Sequence, residues 1–521
     1  MNFQKHKIGN FEGSSSNNTV KKYTISLSLI FSLAAIIFLI IGIAQAINSI
    51  NFSVFLNLAG ADLKKDAYDH TNFLILGTGG GVHDGADLTD SIIVASLDPN
   101  DGLVSMLSIP RDLFIKDDLV GDSKINQIYF SAKKYYGNSP EGLDHLKKKI
   151  EEIVGIPIHY YIKLDFKGFT EMIDAIGGID VDVKEDLYDP FYPKDGTVDY
   201  ETFSIKKGLQ HLDGKTALKY ARSRETTSDF SRADRQQKII YAIKSQALNT
   251  KVLFNKEKIE NILNVLKENI ETNIKVKEIL TLGSYADKIN SNSILHRLIH
   301  DDPTQCGGLL YTPERQYYYG MFVLIPAGIN GGKDGISYIQ DYADLTFNYQ
   351  KIAQENKNIQ ILNGTKAGGI ATEAKQVLNR FCFNITRYGN AKNQTIEKTT
   401  YYYKDKEKRP NTLDFLQKMI PGEESTEIPL EYADSTADII IELGKDYLSP
   451  TSYLKDPFYY LPAIKVTAPT ETEATPTDTP AAPAPQTNTN PQGQGCESIN
   501  LYLQIQNIQD AKRILGLNKG K

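Results

Sequence analysis

The chain has 521 residues, of which 41% are hydrophobic and 23% charged, and its formal net charge is −6. This composition is typical of a globular protein with several domains, and the scattered charges exclude a general nucleic-acid binder, which would show a basic face or stripe. Only three cysteines occur, Cys306, Cys382 and Cys496, and their spacing fits no metal site. They exclude a disulfide-rich scaffold and allow at most one disulfide.

The first predicted element is a transmembrane helix at Tyr23–Ile47, a run of 25 residues without charge. Because a helix rises about 1.5 Å per residue, this run covers the roughly 30 Å hydrocarbon core of a membrane. Lysines precede the run and no charge follows it until Asp62, so residues 1–22 are predicted to be cytoplasmic and the bulk of the chain extracytoplasmic. The alternative is a signal peptide cleaved after Ala46, but the apolar run far exceeds the usual roughly 7–15 residues. We therefore expect a single-pass protein of the cell membrane.

Residues 70–347 alternate strand-like and helical patterns, which predicts an α/β domain with a central sheet flanked by helices. Apolar residues from Leu143 to Ile153 have helical spacing, and Phe169–Ile176 is predicted to be a second helix that ends at two glycines. The predicted strands are Phe73–Leu76, Ser91–Ser96, Leu103–Ile109, His159–Leu164 and Ile179–Val183.

A second, smaller α/β domain is predicted at residues 358–447. It begins with a strand at Ile359–Leu362 and a helix at Thr372–Phe381, and a strand at Ser435–Leu443 closes it. Residues 467–495 consist mainly of Pro, Thr, Ala and Asn, a composition that cannot build a core and predicts an extended linker. Residues 496–521 follow as a short segment of unassigned role.

The densest candidate site is a cluster of four arginines within 14 residues: Arg222, Arg224, Arg232 and Arg235. If Leu218–Arg224 is extended, Arg222 and Arg224 lie on one side, and their guanidinium groups match phosphate oxygens. If a helix begins near Ser231, Arg232 and Gln236 share one face and Asp229 lies near its N-terminus. A solvated helix start with local ion pairs is the alternative interpretation.

Arg111 and Asp112 form a second candidate, because they follow Pro110 at the end of a predicted buried strand. Active sites of α/β domains gather at strand ends, and Pro110 restricts the backbone that aims these side chains. A plain turn is the alternative.

The third candidate is a glycine-rich run between two strands that contains Asp84, Asp87 and Asp90. Carboxylates beside a phosphate site suit a hard cation such as Mg²⁺, and Asp90 is the best-placed ligand. A hairpin with solvated acids is the alternative here.

The order of these motifs resembles the LytR-CpsA-Psr family. The resemblance is carried by LILG, DLTDSI, SIPRD, KINQIY and HLDGKTALKYARSR followed by DFSRADRQQ, and it covers roughly residues 70–345. Residues 358–447, which begin with IQILNGTKAGGIA, resemble the LytR C-terminal domain. The fold implied is the central sheet of that family followed by a small α/β domain, with the transmembrane helix in front.

The resemblance implies an extracytoplasmic, Mg²⁺-dependent phosphotransferase that moves a glycopolymer from a polyprenyl pyrophosphate carrier onto peptidoglycan. It also implies a side activity, the hydrolysis of pyrophosphate-linked lipids. Asp90 is then a metal ligand. The pyrophosphate is held by arginines and oriented by neighbouring polar groups; these residues are Arg111, Arg222, Arg224, Arg232, Asp229 and Gln236, with Lys124, Asn126 and Arg235 as further substrate-binding residues.

The first motif departs from the family pattern. Gly79 and Leu88 stand where members commonly have an Asp and an Arg. The missing metal ligand is then predicted to be Asp87 or Asp84. This departure supports an alternative function, a non-catalytic anchor that binds polyprenyl phosphate or wall polymer through the same arginines.

Overall fold

The computed structural model describes two compact units and leaves both ends of the chain and several internal segments undescribed. The described residues are 62–81, 85–193, 199–223, 235, 238–239, 242–243, 245–246, 264–265, 268–285, 288–289, 293–327, 335–405, 407–450, 452–454, 456 and 458. The first unit reaches residue 299 and includes residues 346–350, and the second unit holds residues 300–345 and those after 350. Residues 300–345, which the sequence analysis assigns to the first domain, thus group with the second unit.

The predicted helix Tyr23–Ile47, the linker 467–495 and the segment 496–521 lie outside the described residues. Within the described ranges, no helix combines the length and the hydropathy required to cross a membrane.

The first unit is built on a mixed six-stranded sheet. Its strands are β1 (Thr71–Thr78), β2 (Thr89–Asp98), β3 (Leu103–Ile109), β6 (Tyr160–Asp165), β11 (Ile270–Thr272) and β12 (Ile294–Leu298). Their order in the sheet is β11-β6-β1-β2-β3-β12. Strand β1 is buried at every position, so the sheet is covered on both faces. Such strands have continuous apolar sequences rather than alternating ones.

Helices α1 (Ile125–Tyr136) and α2 (Ser139–Val154) pack against each other, and α1 also packs on β2. Asn138 caps α2 by accepting a hydrogen bond from the Glu141 amide at 3.0 Å. Helix α1 has buried residues at Ile125, Ile128, Tyr129 and Ala132, a helical spacing that the sequence analysis did not use.

Helices α3 (Phe166–Ala175) and α4 (Gly214–Arg222) pack together, and the core that contains their apolar side chains includes Phe73 and Ile75 of β1. This core also receives buried residues from small antiparallel ribbons. They are formed by β7 (Ile179–Val183) with β10 (Gly208–Leu212) and by β8 (Leu187–Pro193) with β9 (Tyr200–Ile205).

The remaining elements of the first unit are short. Strands β4 (Phe114–Ile115) and β5 (Ser123–Lys124) pair just before α1, and α5 (Val276–Ser284) follows β11. The condition considered for Leu218–Arg224, an extended backbone, is not met as far as Arg222, because Leu218–Arg222 end helix α4. Asp213 caps this helix through a 2.7 Å hydrogen bond from the Thr216 amide, and Ala217, Leu218 and Ala221 favour the helical state.

The described elements that follow β12 are β13 (Leu310–Tyr311), β14 (Ile325–Pro326), α6 (Gly335–Phe347), α7 (Gln350–Glu355), β15 (Asn358–Asn363), α8 (Ile370–Arg380), β16 (Asn384–Asn390), β17 (Thr400–Tyr403), α9 (Thr412–Met419), β18 (Glu423–Ser425) and β19 (Ile439–Leu443). The second unit contains a five-stranded sheet with the order β16-β15-β19-β17-β18. The predicted strand Ser435–Leu443 thus begins only at Ile439, after a loop. A disulfide joins Cys306 to Cys382.

Candidate active site

The candidate site forms at the end of the central sheet where four strands terminate or begin. Strand register pairs Thr78 at the end of β1 with Thr89 at the start of β2, and also with Asp165 at the end of β6. Strand β3 ends at Ile109, which pairs with Ile92 of β2. Residues that follow β1, β3 and β6 or begin β2 therefore gather at one edge, as expected for a ligand site of an α/β sheet.

Asp90 and Arg111 meet at this edge. Arg111 donates from Nη1 to Oδ1 of Asp90 at 2.8 Å, and its Nε lies 3.6 Å from Oδ2 of Asp112. Lys124 donates to the other oxygen of Asp112 at 2.7 Å. Arg111 and Asp90 remain 21% and 24% exposed, so this row of alternating charges is partly buried and still open to a ligand.

The start of helix α1 holds Lys124 and Asn126 against the same row. The Ile125 amide donates to the Leu113 carbonyl at 2.8 Å, and Thr89 donates from Oγ1 to the Asn126 carbonyl at 3.3 Å. No acidic side chain occupies the first turn of this helix, and Lys124 is its N-cap residue. The positive end of the helix dipole and the Lys124 ammonium thus both favour an anion here.

Asn126 supplies a test of whether these residues fit a metal ion. Its side chain is buried, and its Oδ1 has no hydrogen-bond partner among the described residues. Mg²⁺ takes oxygen ligands, commonly one or two carboxylates plus water and phosphate oxygens. An Asp90 carboxylate and a buried amide oxygen fit that requirement. In the described part of the chain, however, no three His, Cys, Asp or Glu side chains are grouped as a complete metal cluster.

Asp87 is paired with a lysine. Its Oδ2 accepts a 2.7 Å hydrogen bond from Lys133 Nζ on helix α1. Burial lowers the pKa of Lys133, but the hydrogen bond to Asp87 and the nearby charges outweigh burial and leave this pKa above its usual value. The contact ties the glycine-rich loop to α1. To act as the predicted metal ligand, Asp87 has to release Lys133 or bind Lys133 and the metal ion together.

A glycine is required where the same loop passes β6. Gly80 has φ +67°, and a Cβ built there would lie 2.5 Å from Oδ2 of Asp165. Both the left-handed backbone and the close carboxylate exclude a side chain at this position.

Arg222 lies in the last turn of α4, beside two aromatic rings. Its Nη1 donates to the Tyr192 hydroxyl at 3.0 Å, and its guanidinium carbon lies 4.3 Å from the centre of the Phe166 ring. Phe166 follows Asp165 directly, so Arg222 stands near the end of β6 at the same edge of the sheet. Aromatic stacking suits arginine and fixes the plane of its guanidinium group.

Arg235 has a different environment from Arg222. It is 5% exposed, and it donates from Nε to the Tyr220 carbonyl at 3.1 Å and from Nη2 to the Ser223 carbonyl at 2.7 Å. These contacts satisfy carbonyl groups at the C-terminal end of α4. Its predicted role in substrate binding stays a prediction. The other predicted site residues lie outside the described residues: Asp84, Arg224, Asp229, Arg232 and Gln236.

Sequence reasoning missed Phe166 and Tyr192, the two residues that position Arg222. Phe166 carries a signal, because it follows a strand end just as Arg111 does. Tyr192 carries none, since its contact with Arg222 depends on how a distant hairpin folds back.

Comparison with known proteins agrees with the motif order. The model of the LytR_cpsA_psr family matches residues 47–318, which is more than half of the chain. The model described as LytR cell envelope-related transcriptional attenuator matches residues 356–447.

Similar curated proteins include two transferases of Bacillus. The polyisoprenyl-teichoic acid–peptidoglycan teichoic acid transferase TagV of Bacillus subtilis is 36% identical over 239 residues, which cover 44% of this chain and 55% of that protein. A second polyisoprenyl-teichoic acid–peptidoglycan teichoic acid transferase, TagU of Bacillus licheniformis, is 27% identical, and the match covers 48% of this chain and 75% of that protein. The chain thus spans about half the length of the first of these relatives.

Among solved structures, the crystal structure of B. subtilis TagV is similar, with 29% identity and a TM-score of 0.39; the match covers 55% of this chain and 99% of that one. On the strength of the family model that covers residues 47–318, the chain belongs to the LytR_cpsA_psr family.

Proposed function

We propose that this chain is an extracytoplasmic phosphotransferase that attaches a polyprenyl-pyrophosphate-linked glycopolymer to peptidoglycan. The observation that carries the proposal is the row Asp90–Arg111–Asp112–Lys124 at the sheet edge, with Arg222 held at the same edge. Family membership and the names of the relatives support it, since those proteins are named as teichoic acid–peptidoglycan transferases.

The reaction requires mainly that the reacting groups are positioned and that the negative charge of the pyrophosphate is neutralised. An acceptor hydroxyl attacks the phosphorus that carries the glycopolymer and forms a phosphodiester. The bond from that phosphorus to the bridging oxygen breaks, and the polyprenyl monophosphate leaves and takes up the hydroxyl proton. Arg111, Lys124 and Arg222 bind the pyrophosphate oxygens, and the start of helix α1 adds its positive end. Groups held rigidly before the reaction stabilise the developing charge without reorganisation.

Asp90 and the Asn126 amide oxygen are the proposed ligands of Mg²⁺, with Asp87 or Asp84 as a further carboxylate. When bound, this ion neutralises charge on the phosphate oxygens and polarises the phosphorus toward attack. Asp90 also orients Arg111 through their 2.8 Å contact, so the same carboxylate would hold the metal ion and position a cation of the protein.

A membrane tether at Tyr23–Ile47 belongs to the same proposal. A substrate with a polyprenyl tail stays in the bilayer, so a site tethered nearby meets its pyrophosphate head group at high effective concentration. Protease digestion of intact cells, followed by detection of the short N-terminal tail, tests this topology. Loss of the tail before cell lysis would contradict it.

The deciding experiment is Mg²⁺-dependent cleavage of a polyprenyl pyrophosphate by the purified full-length chain. Arg222→Ala is expected to lower the rate about 10²–10³-fold, the cost of removing one preorganised donor to a developing charge. Lys65→Ala is the matched control, because the ion pair of Lys65 with Asp69 is exposed and is not part of the proposed site. This variant should retain the full rate.

The non-catalytic anchor makes the opposite prediction. Binding of the lipid without release of phosphate in the wild type and in Lys65→Ala, together with weaker binding in Arg222→Ala, would contradict the enzyme and support the anchor.

A further inference from the structure

Asp87 has one carboxylate oxygen engaged and one oxygen open. Its Oδ2 accepts from Lys133 Nζ at 2.7 Å, whereas its Oδ1 makes no hydrogen bond or ion pair with any of the described residues. The side chains of Asp87 and Lys133 remain 30% and 36% exposed. A carboxylate in this state can keep the lysine on Oδ2 and still offer Oδ1 to a metal ion.

The backbone of Lys133 is fixed by a close approach of two helices. A Cβ at Gly142 of α2 would lie 2.8 Å from the backbone nitrogen of Lys133 and 2.9 Å from its Cα. A side-chain carbon this close to backbone atoms would clash, so only glycine permits the contact. Helix α1 is thus held against α2 at the residue that carries the ammonium group.

The ammonium group of Lys133 lies beside an aromatic ring that is itself held in place. Its Nζ is 5.8 Å from the centre of the buried Tyr129 ring, four residues earlier on α1. The Tyr129 and Ser139 hydroxyls are 2.8 Å apart. Because Ser139 donates its only hydroxyl proton to the Glu271 carboxylate, Tyr129 donates to Ser139. The ring next to Lys133 therefore has a fixed orientation.

The same contacts reach the central sheet. Lys163 of β6 pairs with Glu271 of β11, and its Nζ lies 5.2 Å from the centre of the Tyr129 ring. A chain of side-chain contacts thus connects the sheet with the glycine-rich loop; in order, its members are Lys163, Glu271, Ser139, Tyr129, Lys133 and Asp87. Hydrogen-bond partners of this kind orient a metal-binding carboxylate, and their loss typically weakens metal binding about 10–100-fold.

We propose that Lys133 is a positioning residue for Asp87, which it holds by Oδ2 so that Oδ1 is presented to Mg²⁺. The inference rests on the proposed function and deepens it, because it selects Asp87 over Asp84 and keeps the lysine and the metal ion on one carboxylate. The negative charge between the two cations offsets their repulsion. Lys133 lies outside the motifs that carry the family resemblance. The opposite arrangement, in which Mg²⁺ displaces Lys133, predicts tighter metal binding once the lysine is removed.

Binding of Mn²⁺ tests this role without any turnover, because Mn²⁺ takes the same oxygen ligands as Mg²⁺ and is detected by electron paramagnetic resonance. In titrations of the purified full-length chain, Lys133→Met is expected to bind Mn²⁺ about tenfold more weakly than wild type, and Mg²⁺ should compete for the same site. Lys133→Arg keeps a charged donor and should bind close to wild type.

The matched control is Lys134→Met. It removes the same charge from the next position of α1, where the lysine is exposed and has no ion-pair partner among the described residues. This variant should bind Mn²⁺ as wild type does, so a loss confined to Lys133→Met is not an effect of net charge.

A double-mutant cycle shows whether Lys133 acts through Asp87. In the Asp87→Asn background, Lys133→Met should change the Mn²⁺ affinity less than about twofold, because the carboxylate that the lysine orients is no longer present. A tenfold loss in both backgrounds would show that Lys133 acts elsewhere and would contradict the proposed role.

The inference would also be overturned by absence of Mn²⁺ binding in the wild type, or by equal affinity in wild type and Lys133→Met. Tighter binding in Lys133→Met would show that the lysine competes with the metal ion. Failure of the wild-type chain to cleave a polyprenyl pyrophosphate is a separate result. It would remove the proposed reaction while the dependence of Mn²⁺ binding on Lys133 still stood, so the two failures can be distinguished.

Discussion

Two arginine–aspartate pairs in this chain share their chemistry and differ in their surroundings. Arg111 and Asp90, in the first unit, are joined by one 2.8 Å contact and are 21% and 24% exposed. Arg380 and Asp456, in the second unit, are joined by two contacts of 2.7 and 2.9 Å and are 4% and 5% exposed. Arg380 also donates from Nε to the Pro303 carbonyl at 2.8 Å.

The difference shows which pair is able to bind a ligand. All three nitrogens of the Arg380 guanidinium bond to groups of the chain, and the Phe458 ring lies 4.5 Å away. This pair joins distant segments of the second unit. Arg111, by contrast, lies at a strand end with part of its surface open and a second cation, Lys124, close by. Access and neighbouring charge, rather than the pair itself, mark the site.

The largest expected effect comes from breaking the buried pair. Asp456→Asn leaves the Arg380 charge buried without its partner, which should lower the free energy of unfolding of the second unit by about 3–5 kcal/mol. Unfolding in urea, with hydrogen exchange of the backbone amides of the second unit as the probe, measures this loss.

The exposed pair of Lys445 and Glu397 serves as the control. Lys445 is 54% exposed and Glu397 69%, so Lys445→Ala should cost at most about 1 kcal/mol. Equal losses in the two variants would contradict the distinction between buried and exposed pairs.

A medium effect is expected at His296 on β12, which contacts the Ser108 hydroxyl at 3.0 Å. Burial lowers the pKa of His296 to about 4. Because the folded state then binds fewer protons than the unfolded state, stability is complete above about pH 6.5 and falls as the pH drops toward 4. A full shift of this pKa corresponds to about 3 kcal/mol of the free energy of unfolding. Because part of His296 stays accessible to solvent, we expect acidification to lower the free energy of unfolding by about 2 kcal/mol.

Unfolding of the wild type and of His296→Gln at pH 7 and pH 4.5 checks this. The glutamine variant should lose less stability on acidification. The same pH dependence in both proteins would show that other groups cause it.

The smallest effect is expected at the start of helix α4, which ends at Arg222. Asp213→Ala removes the 2.7 Å cap on the Thr216 amide and should cost about 1 kcal/mol. Asp213→Asn keeps a capping oxygen and is the control. Chemical denaturation of both variants measures the difference, and a loss in Asp213→Asn as large as in Asp213→Ala would rule out capping as its cause.

The sequence was sufficient where local pattern decides the structure. Strands β3 and β7 match their predicted limits, because a mainly apolar run and a strict alternation are signals carried by neighbouring residues. The position of Arg111 at the end of a buried strand was also predicted from local pattern, whereas its contact with Asp90 was not.

Sequence was insufficient where the outcome depends on distant segments. Leu218–Arg222 is helical because a cap at Asp213 and apolar contacts with the core favour that state. Tyr192 reaches Arg222 across 30 positions of sequence. The burial of Arg235 likewise depends on the end of α4, which a pattern of charges does not reveal.

The central claim is that the open pair at the sheet edge is a working Mg²⁺ and phosphate site. It is tested most directly by the Mg²⁺ dependence of polyprenyl pyrophosphate cleavage in the wild type and in Asp90→Asn. The variant is expected to be about 100-fold slower and to need at least about tenfold more Mg²⁺, since one carboxylate ligand is lost. Identical rates and identical Mg²⁺ dependence in the two proteins would contradict the account.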